Sequence, residues 1–293
     1  MPTRCGYIAI IGRPNAGKST LFNRLVGQKV SSVSYKPQTT RHRILGVRTD
    51  KDAQFVFVDT PGIHLGGKKL LNRVLNKNAL NALHDVHLIY MLIDRGGWTR
   101  EEQYILKQLQ TVDCPVILIV NKIDKLDRRE QLFELLTLGS EHYDYAEIVP
   151  ISALKRDNID SLIEVSKQYL PESDFYYDQE YLTDRSINFI CAELIREAAF
   201  VYLDKELPYA THVDIEKYTE ESDSVTVSAV IWVEKDSQKS ILIGKQGEML
   251  KKIGTRARKA IQRQLDVRVH LEIWVKLHKD WQDNPQVVGK YEQ

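Results

Sequence analysis

The chain has 293 residues, 41 Lys+Arg against 40 Asp+Glu, and three cysteines. This is about twice a usual domain length, so two domains with sizeable cores are expected. Cys5, Cys114 and Cys191 stand alone, which excludes a disulfide framework and a C-x-x-C zinc site. No apolar run approaches the ~18 residues of a membrane span, and a cytoplasmic protein without a secretory leader is expected.

The β-branched run Tyr7-Ile8-Ala9-Ile10-Ile11 reads as a buried strand, and Thr20 to Val26 reads as a helix. Between them, Gly12-Arg13-Pro14-Asn15-Ala16-Gly17-Lys18-Ser19 has the G-x-x-x-x-G-K-[ST] spacing. Backbone N–H groups of such a loop curve round phosphate oxygens at the positive end of the following helix. Lys18 is placed to reach the β- and γ-phosphates, and the Ser19 hydroxyl to bind Mg²⁺. Alone, this loop specifies a nucleoside triphosphate and not its base.

A polar loop over residues 31–41 contains Thr39 and Thr40, and strands are expected near 43–49 and 54–58. The second ends in Asp59-Thr60-Pro61-Gly62, which puts a carboxylate where it can hold Mg²⁺ and leaves the Gly62 N–H free for a γ-phosphate. Apolar strands at 86–93 and 115–120, separated by a helix near 99–111, imply a mostly parallel sheet covered on both faces. Its ligand then lies at the carboxyl ends of the strands.

The 115–120 strand runs into Asn121-Lys122-Ile123-Asp124. A carboxylate at Asp124 can accept from both N1–H and the exocyclic amino group of guanine, a donor pair that adenine lacks. Asn121 can bridge neighbouring loops, and the Lys122 stem can cover the base. A last strand, 146–151, ends in Ser152-Ala153, whose backbone can offer an N–H to guanine O6; Asp157 and Asp160 suit the start of the next helix.

These five elements, in this order, resemble the translation-factor-related GTPases. The resemblance implies Mg²⁺-dependent binding of GTP/GDP and hydrolysis of GTP, with Lys18, Ser19, Asp59 and a threonine around the phosphates. Thr40 is the choice for the threonine that closes over Mg²⁺, with Thr39 left open, and Lys18, Thr40 and Gly62 are the expected catalytic groups. Residues 31–41 and 60–78 become the switch segments. Many regulated GTPases place a water-orienting glutamine after Asp-x-x-Gly, but here that residue is Ile63, so slow intrinsic hydrolysis is expected. Asn15 resembles the asparagine that helps hold K⁺ in a potassium-stimulated subset of the class.

Residues 171–180 lack periodicity and read as a linker between a domain over 1–170 and one over 181–283, with a tail at 284–293. The second domain shows a helix bearing Ile187, Ile190, Leu194 and Ile195, strands near 211–218 and 225–233, two helices and a last strand. That strand alternates Val267, Val269, Leu271, Ile273, Val275 and Leu277 with polar residues. Residues 236–280 carry 11 Lys/Arg against 5 Asp/Glu, a local +6 that leaves −5 on the rest. Gly244-Lys245-Gln246-Gly247 joins the two helices; Lys251, Lys252, Arg258 and Lys259 follow on a basic helix face, and Ile243 borders an apolar groove. A Gly-x-x-Gly loop in this setting is how KH modules clamp single-stranded RNA.

Pro37-Gln38-Thr39-Thr40-Arg41, Asp59-Thr60-Pro61-Gly62, Glu206-Leu207-Pro208-Tyr209 and Leu271-Glu272-Ile273-Trp274-Val275-Lys276 are similar to patterns of the Era family. The resemblance covers nearly the whole chain. It implies an α/β P-loop GTPase domain with a mostly parallel six-stranded sheet, followed by an α+β type II KH domain with a three-stranded sheet. It also implies binding to the 3′ end of 16S ribosomal RNA, a role in 30S subunit assembly, and, in some members, peripheral membrane association. A monomer is expected. Two alternatives stay open: a P-loop nucleotide kinase, against which Asn121 to Asp124 argue, and an RNA-binding protein in which GTP is only structural.

Overall fold

The computed structural model describes residues 2–36, 39–63, 69–95 and 98–291; Pro37 and Gln38 of the polar loop lie outside them. The chain divides into two units: residues 1–31, 40–184 and 291–293 form the first, and residues 32–39 and 185–290 the second.

In the first unit the strands are β1 (Arg4–Gly12), β2 (Ile44–Thr49), β3 (Ala53–Asp59), β4 (Leu88–Ile93), β5 (Val116–Val120) and β6 (Glu147–Pro150). The helices are α1 (Lys18–Val26), α2 (Leu70–Asn81), α3 (Arg100–Leu109), α4 (Arg129–His142) and α5 (Ile159–Lys167). The sheet order is β2-β3-β1-β4-β5-β6, with β2 antiparallel to β3 and every other pair parallel. β3, β4 and β5 are buried along their whole length, which is why they read as unbroken apolar runs rather than alternating ones. Register pairs Ile10 with Asp59, Gly12 with Leu92, and Val120 with both Ile93 and Pro150. The loops leaving β1, β3, β4, β5 and β6 therefore emerge along one edge of the sheet, where α/β folds hold their ligands.

Residues 171–180, expected as a linker, pack onto this unit. Gln54 is fully buried in β3 and needs partners for its amide. Its Nε2 donates to the Tyr177 carbonyl at 2.7 Å, and its Oε1 accepts from the Tyr176 and Tyr177 N–H groups at 2.9 and 3.0 Å. Further on, Val47 N–H donates to the Leu182 carbonyl at 2.9 Å, which covers the otherwise open edge of β2.

The second unit contains α6 (Ile187–Tyr202), β7 (His212–Glu220), β8 (Ser224–Val233), α7 (Asp236–Ile243), α8 (Glu248–Leu265), β9 (Arg268–Leu277) and the short α9 (Pro285–Val288). β8 is central, antiparallel to β7 and parallel to β9. One side of the sheet is closed by α6 and α8: Leu194, Ile195 and Ala198 meet Val227, Ala229 and Ile231, with Ile253, Ala257 and Ile261 completing the core. β9 alternates as its sequence requires, with Arg268, His270, Glu272, Trp274 and Lys276 exposed. Among the described residues no helix is long and apolar enough to cross a membrane.

Candidate functional site

The loop between β1 and α1 is shaped by close approaches. Gly17 caps α1 at φ 104°, and a Cβ there would lie 2.2 Å from Asn121 Nδ2. Asn121 uses that nitrogen to donate to the Ala16 carbonyl at 2.8 Å, so the loop after β5 is fastened to the phosphate loop. Only glycine admits both the backbone angle and the neighbour.

Lys18 is buried, and its Nζ donates to the Gly12 and Arg13 carbonyls, each at 3.0 Å. Burial pushes its pKa down to about 8, against the opposing pull of Asp59. Asp59, fully buried at the end of β3, is pushed up to about 6 by burial, with Lys18 and the Ser31 hydroxyl acting the other way. Asp59 Oδ2 accepts from Ser31 Oγ at 2.8 Å, whereas Oδ1 has no partner of full hydrogen-bond geometry among the described residues, with the Ser19 hydroxyl and Thr60 N–H nearby. A buried carboxylate oxygen without a full hydrogen bond is a natural cation ligand. The hydroxyls of Ser19 and Thr40 lie 2.6 Å apart in the same unit. Carboxylate and hydroxyl oxygens of this kind fit a hard cation such as Mg²⁺. Gly62 sits directly over the loop, since a Cβ there would be 2.9 Å from Pro14 Cα and 3.1 Å from Lys18 Nζ.

At the other end of the edge, Asn121 Oδ1 accepts from the Lys122 N–H at 2.8 Å and the Ala153 N–H at 3.0 Å. Of the Ser152-Ala153 turn expected to offer an N–H to a base, the Ala153 N–H is engaged by Asn121 here. Ser152 Oγ donates to Asp124 Oδ1 at 2.6 Å, fixing the plane of an exposed carboxylate. Lys122 Nζ reaches the Asn15 carbonyl at 2.5 Å and Asp94 Oδ2 at 2.7 Å.

Asp94 and Glu102 were not singled out in the sequence. Asp94 Oδ1 binds Arg13 Nη2 while its Oδ2 takes Lys122, and Arg13 Nε lies 2.8 Å from Glu102 Oε1. Asp94 thus joins the phosphate loop, through Arg13, to the Asn121–Asp124 motif, through Lys122, and Glu102 backs Arg13. The signal for Asp94 was present, since it follows buried β4 much as Asp59 closes buried β3.

In the second unit, Gly244 (φ 74°), Gln246 (φ 51°) and Gly247 (φ 81°) all take positive φ between α7 and α8. A Cβ at Gly244 would press on Met249 at 2.7 Å, whereas nothing lies within 4 Å of one at Gly247. Lys245 and Gln246 are exposed at the tip, Lys251, Lys252 and Lys259 are exposed on α8, Ile243 and Arg258 are half-buried, and Arg258 donates to Gln262 Oε1 at 3.2 Å. Ile253, Ala257 and Ile261 bury the other face, which leaves a basic ridge beside a loop open to ligand.

Residues 7–122 match the family of 50S ribosome-binding GTPases, and residues 206–282 match the KH domain. Relatives named GTPase Era from Pseudomonas fluorescens and Coxiella burnetii are 44% and 45% identical over 98% of this chain, and cover 95% and 97% of their own length. The chain belongs to the Era GTPase family. A solved Aquifex aeolicus Era bound to GDP.AlF4- covers 99% of both chains at 36% identity and TM-score 0.94. A second Era structure, in complex with MgGDPNP and nucleotides 1506–1542 of 16S ribosomal RNA, covers 99% of this chain and 98% of its own, also at 36% and 0.94. The P-loop α/β domain with its six-stranded sheet and the KH domain with its three-stranded sheet are those of an Era GTPase.

In this Era chain Ile63 is fully buried among Ala9, Ile11, Ala79 and Met91. The missing glutamine is therefore not a gap waiting to be filled. Ile63→Gln should bury an amide in an apolar cluster at a cost of about 2–4 kcal/mol. We expect Tm to fall by about 5–10 °C with no gain in kcat. Faster turnover at unchanged Tm would show that residue 63 faces the nucleotide.

Proposed function

We propose that this chain is a GTP-driven switch acting on the 3′ end of 16S ribosomal RNA during maturation of the small subunit, in the cytoplasm. Gly12 to Thr20 wrap the phosphates, with Lys18 supplying charge to the β- and γ-oxygens. Asp124, oriented by Ser152, selects guanine, while Asn121 and Lys122 hold the base loop to the phosphate loop. Asp59, Ser19 and Thr40 would hold Mg²⁺, which when bound neutralises phosphate charge in the transition state. The Gly62 N–H and the Thr40 backbone are left to position the γ-phosphate and water, since Ile63 faces the core. Lys245, Gln246 and the basic ridge of α8 grip the RNA backbone between the two glycines.

The observation that carries the reading is the fully buried Asp59 carboxylate set against the buried Lys18 ammonium and the Ser19 hydroxyl. It is an arrangement with a cost in the free protein and a use once a cation and phosphates arrive. Support for the RNA half comes from the Era structure complexed with a 16S fragment.

The test is GTP hydrolysis with and without RNA carrying the small-subunit 3′ end, for the natural chain and a Lys245→Asp/Gln246→Asp double variant. Turnover should respond to RNA in the natural chain only, and RNA affinity should drop at least 30-fold in the variant. RNA binding unaffected by the two acids would overturn the assignment of the loop. Potassium is tested in the same assay: if Asn15 helps hold K⁺, kcat in KCl exceeds kcat in NaCl several-fold, and equal rates remove that role.

A further inference from the structure

Strand order puts β4 between β1 and β5, so the residue that leaves β4 stands between the loop after β1 and the loop after β5. That residue is Asp94, and the two loops are the phosphate loop and the Asn121–Asp124 motif. Its oxygens are divided between them: Oδ1 takes Arg13 Nη2, and Oδ2 takes Lys122 Nζ at 2.7 Å. The same ammonium reaches the Asn15 carbonyl at 2.5 Å, and Asn121 Nδ2 reaches the Ala16 carbonyl at 2.8 Å. Glu102, fully buried in the first turn of α3, lies 2.8 Å from Arg13 Nε and accepts from the Thr99 N–H at 2.9 Å.

Arg13 and Lys122 both reach one carboxylate, so the two cations are neighbours and repel one another when its charge is removed. Asp94 is 6% exposed, so solvent screens it little, and its charge converts that repulsion into a bridge. The hydrogen bonds of Asn121 and Lys122 to the loop carbonyls close the same seam without cancelling the repulsion. An aspartate whose task was to shape its own turn would bond its own backbone. Asp94 instead directs its oxygens at side chains 81 and 28 residues away in sequence, one on each loop.

We propose that Asp94 is a positioning residue that sets how long a guanine nucleotide stays bound, by pinning the phosphate loop to the base loop. A nucleotide held at its phosphates by one loop and at its base by the other leaves only when the loops part, and the bridge resists parting. GDP and GTP share the portion that spans the two loops, so the bridge acts on both alike, unlike groups such as Thr40 that answer to the γ-phosphate. The inference rests on the reading of Gly12 to Thr20 as the phosphate site and of Asp124 as the guanine acceptor.

The test is the release of fluorescent GDP and of a fluorescent non-hydrolysable GTP analogue, both with Mg²⁺. Asp94→Asn keeps the shape and removes the charge, and koff should rise about tenfold or more for both nucleotides, with their ratio within about twofold of the natural chain. KM for GTP should rise while kcat at saturation changes less than about twofold. The Arg13 and Lys122 side chains are 24% and 26% exposed and turn to water when the carboxylate goes, so the fold survives. Glu102→Gln, which removes the charge behind Arg13, is made in parallel and should speed release of both nucleotides about threefold. Adding Arg13→Gln to Asp94→Asn removes one of the two repelling cations and should slow release again about threefold, a rescue that a merely structural contact would not show. Near-natural release from Asp94→Asn, a loss confined to the GTP analogue, or no rescue by Arg13→Gln overturns the role given to Asp94. Asp124→Asn separates this from the reading beneath it. Unchanged GDP release there removes the guanine site and the inference with it, whereas fast release there beside near-natural release from Asp94→Asn overturns the bridge alone.

Discussion

Replacing Asp124 by asparagine should raise the Kd of GTP and GDP by two to four orders of magnitude and transfer preference to xanthosine nucleotides. In the proposed site the carboxylate accepts from two guanine donors, and charge-assisted hydrogen bonds of this kind contribute about 1.5–3 kcal/mol each. Losing both removes about 3–6 kcal/mol, at 1.4 kcal/mol per decade of affinity. Asparagine presents one acceptor and one donor in the same place, and the donor meets guanine N–H head-on. Xanthine has a carbonyl where guanine has its amino group, so the amide matches it. Ser152 Oγ, 2.6 Å from Asp124 Oδ1, holds the carboxylate plane, and Ser152→Ala should cost about tenfold through misorientation alone. Nucleotide titration of the two variants decides this. GTP affinity within threefold of the natural chain for Asp124→Asn would place the base elsewhere.

The second large effect is on pH. In the free protein Asp59 titrates near 6 and Lys18 near 8, both displaced by burial. In the roles proposed for them Asp59 acts ionised and Lys18 protonated, so kcat/KM should form a bell with limbs at about 6 and 8. Outside the limbs it should fall about tenfold per pH unit, which makes about a hundredfold by pH 4 or pH 10. At saturation the phosphates raise Lys18 and the cation lowers Asp59, so the plateau of kcat is wider. The linkage to stability has a matching sign. Asp59 rises from its ordinary 3.8, so the nucleotide-free fold loses stability as pH climbs through that interval towards 6. Lys18 falls from 10.5, so stability returns only as pH climbs from 8 towards 10.5. Near neutrality both charges are held at a cost that ligand offsets, and Mg²⁺·GTP should raise Tm most there. A kcat/KM flat from pH 5 to 9.5 would contradict this account.

The phosphate loop, Asp59 and Asn121 to Asp124 were legible in the sequence because each job tolerates few side chains and each motif directly follows a strand. The alternation of β9 was legible because one face packs and the other does not. Residues 171–180 were harder, since their packing depends on Gln54, a polar residue inside an apolar strand whose partners Tyr176 and Tyr177 lie more than 120 residues away. α4 was not singled out; Phe133 and Leu138 point their apolar side chains into water and blur its periodicity. Glu193, Arg196 and Glu197 on α6 have the composition of a solvated helix face, and only the three-dimensional arrangement shows them buried. Glu102 likewise gains meaning only through Arg13, on a different loop.

The basic ridge of α8 has a practical consequence. Its grip on a polyanion releases condensed counterions and weakens steeply with ionic strength, whereas the guanine and metal contacts are short, partly buried and few in net charge. Salt thus acts as a selective key: a moderate wash strips nucleic acid from the KH loop while leaving the G domain loaded. If the ridge holds RNA as proposed, protein prepared at low salt should show excess absorbance at about 260 nm that a high-salt wash removes, and its basal rate should change with that wash.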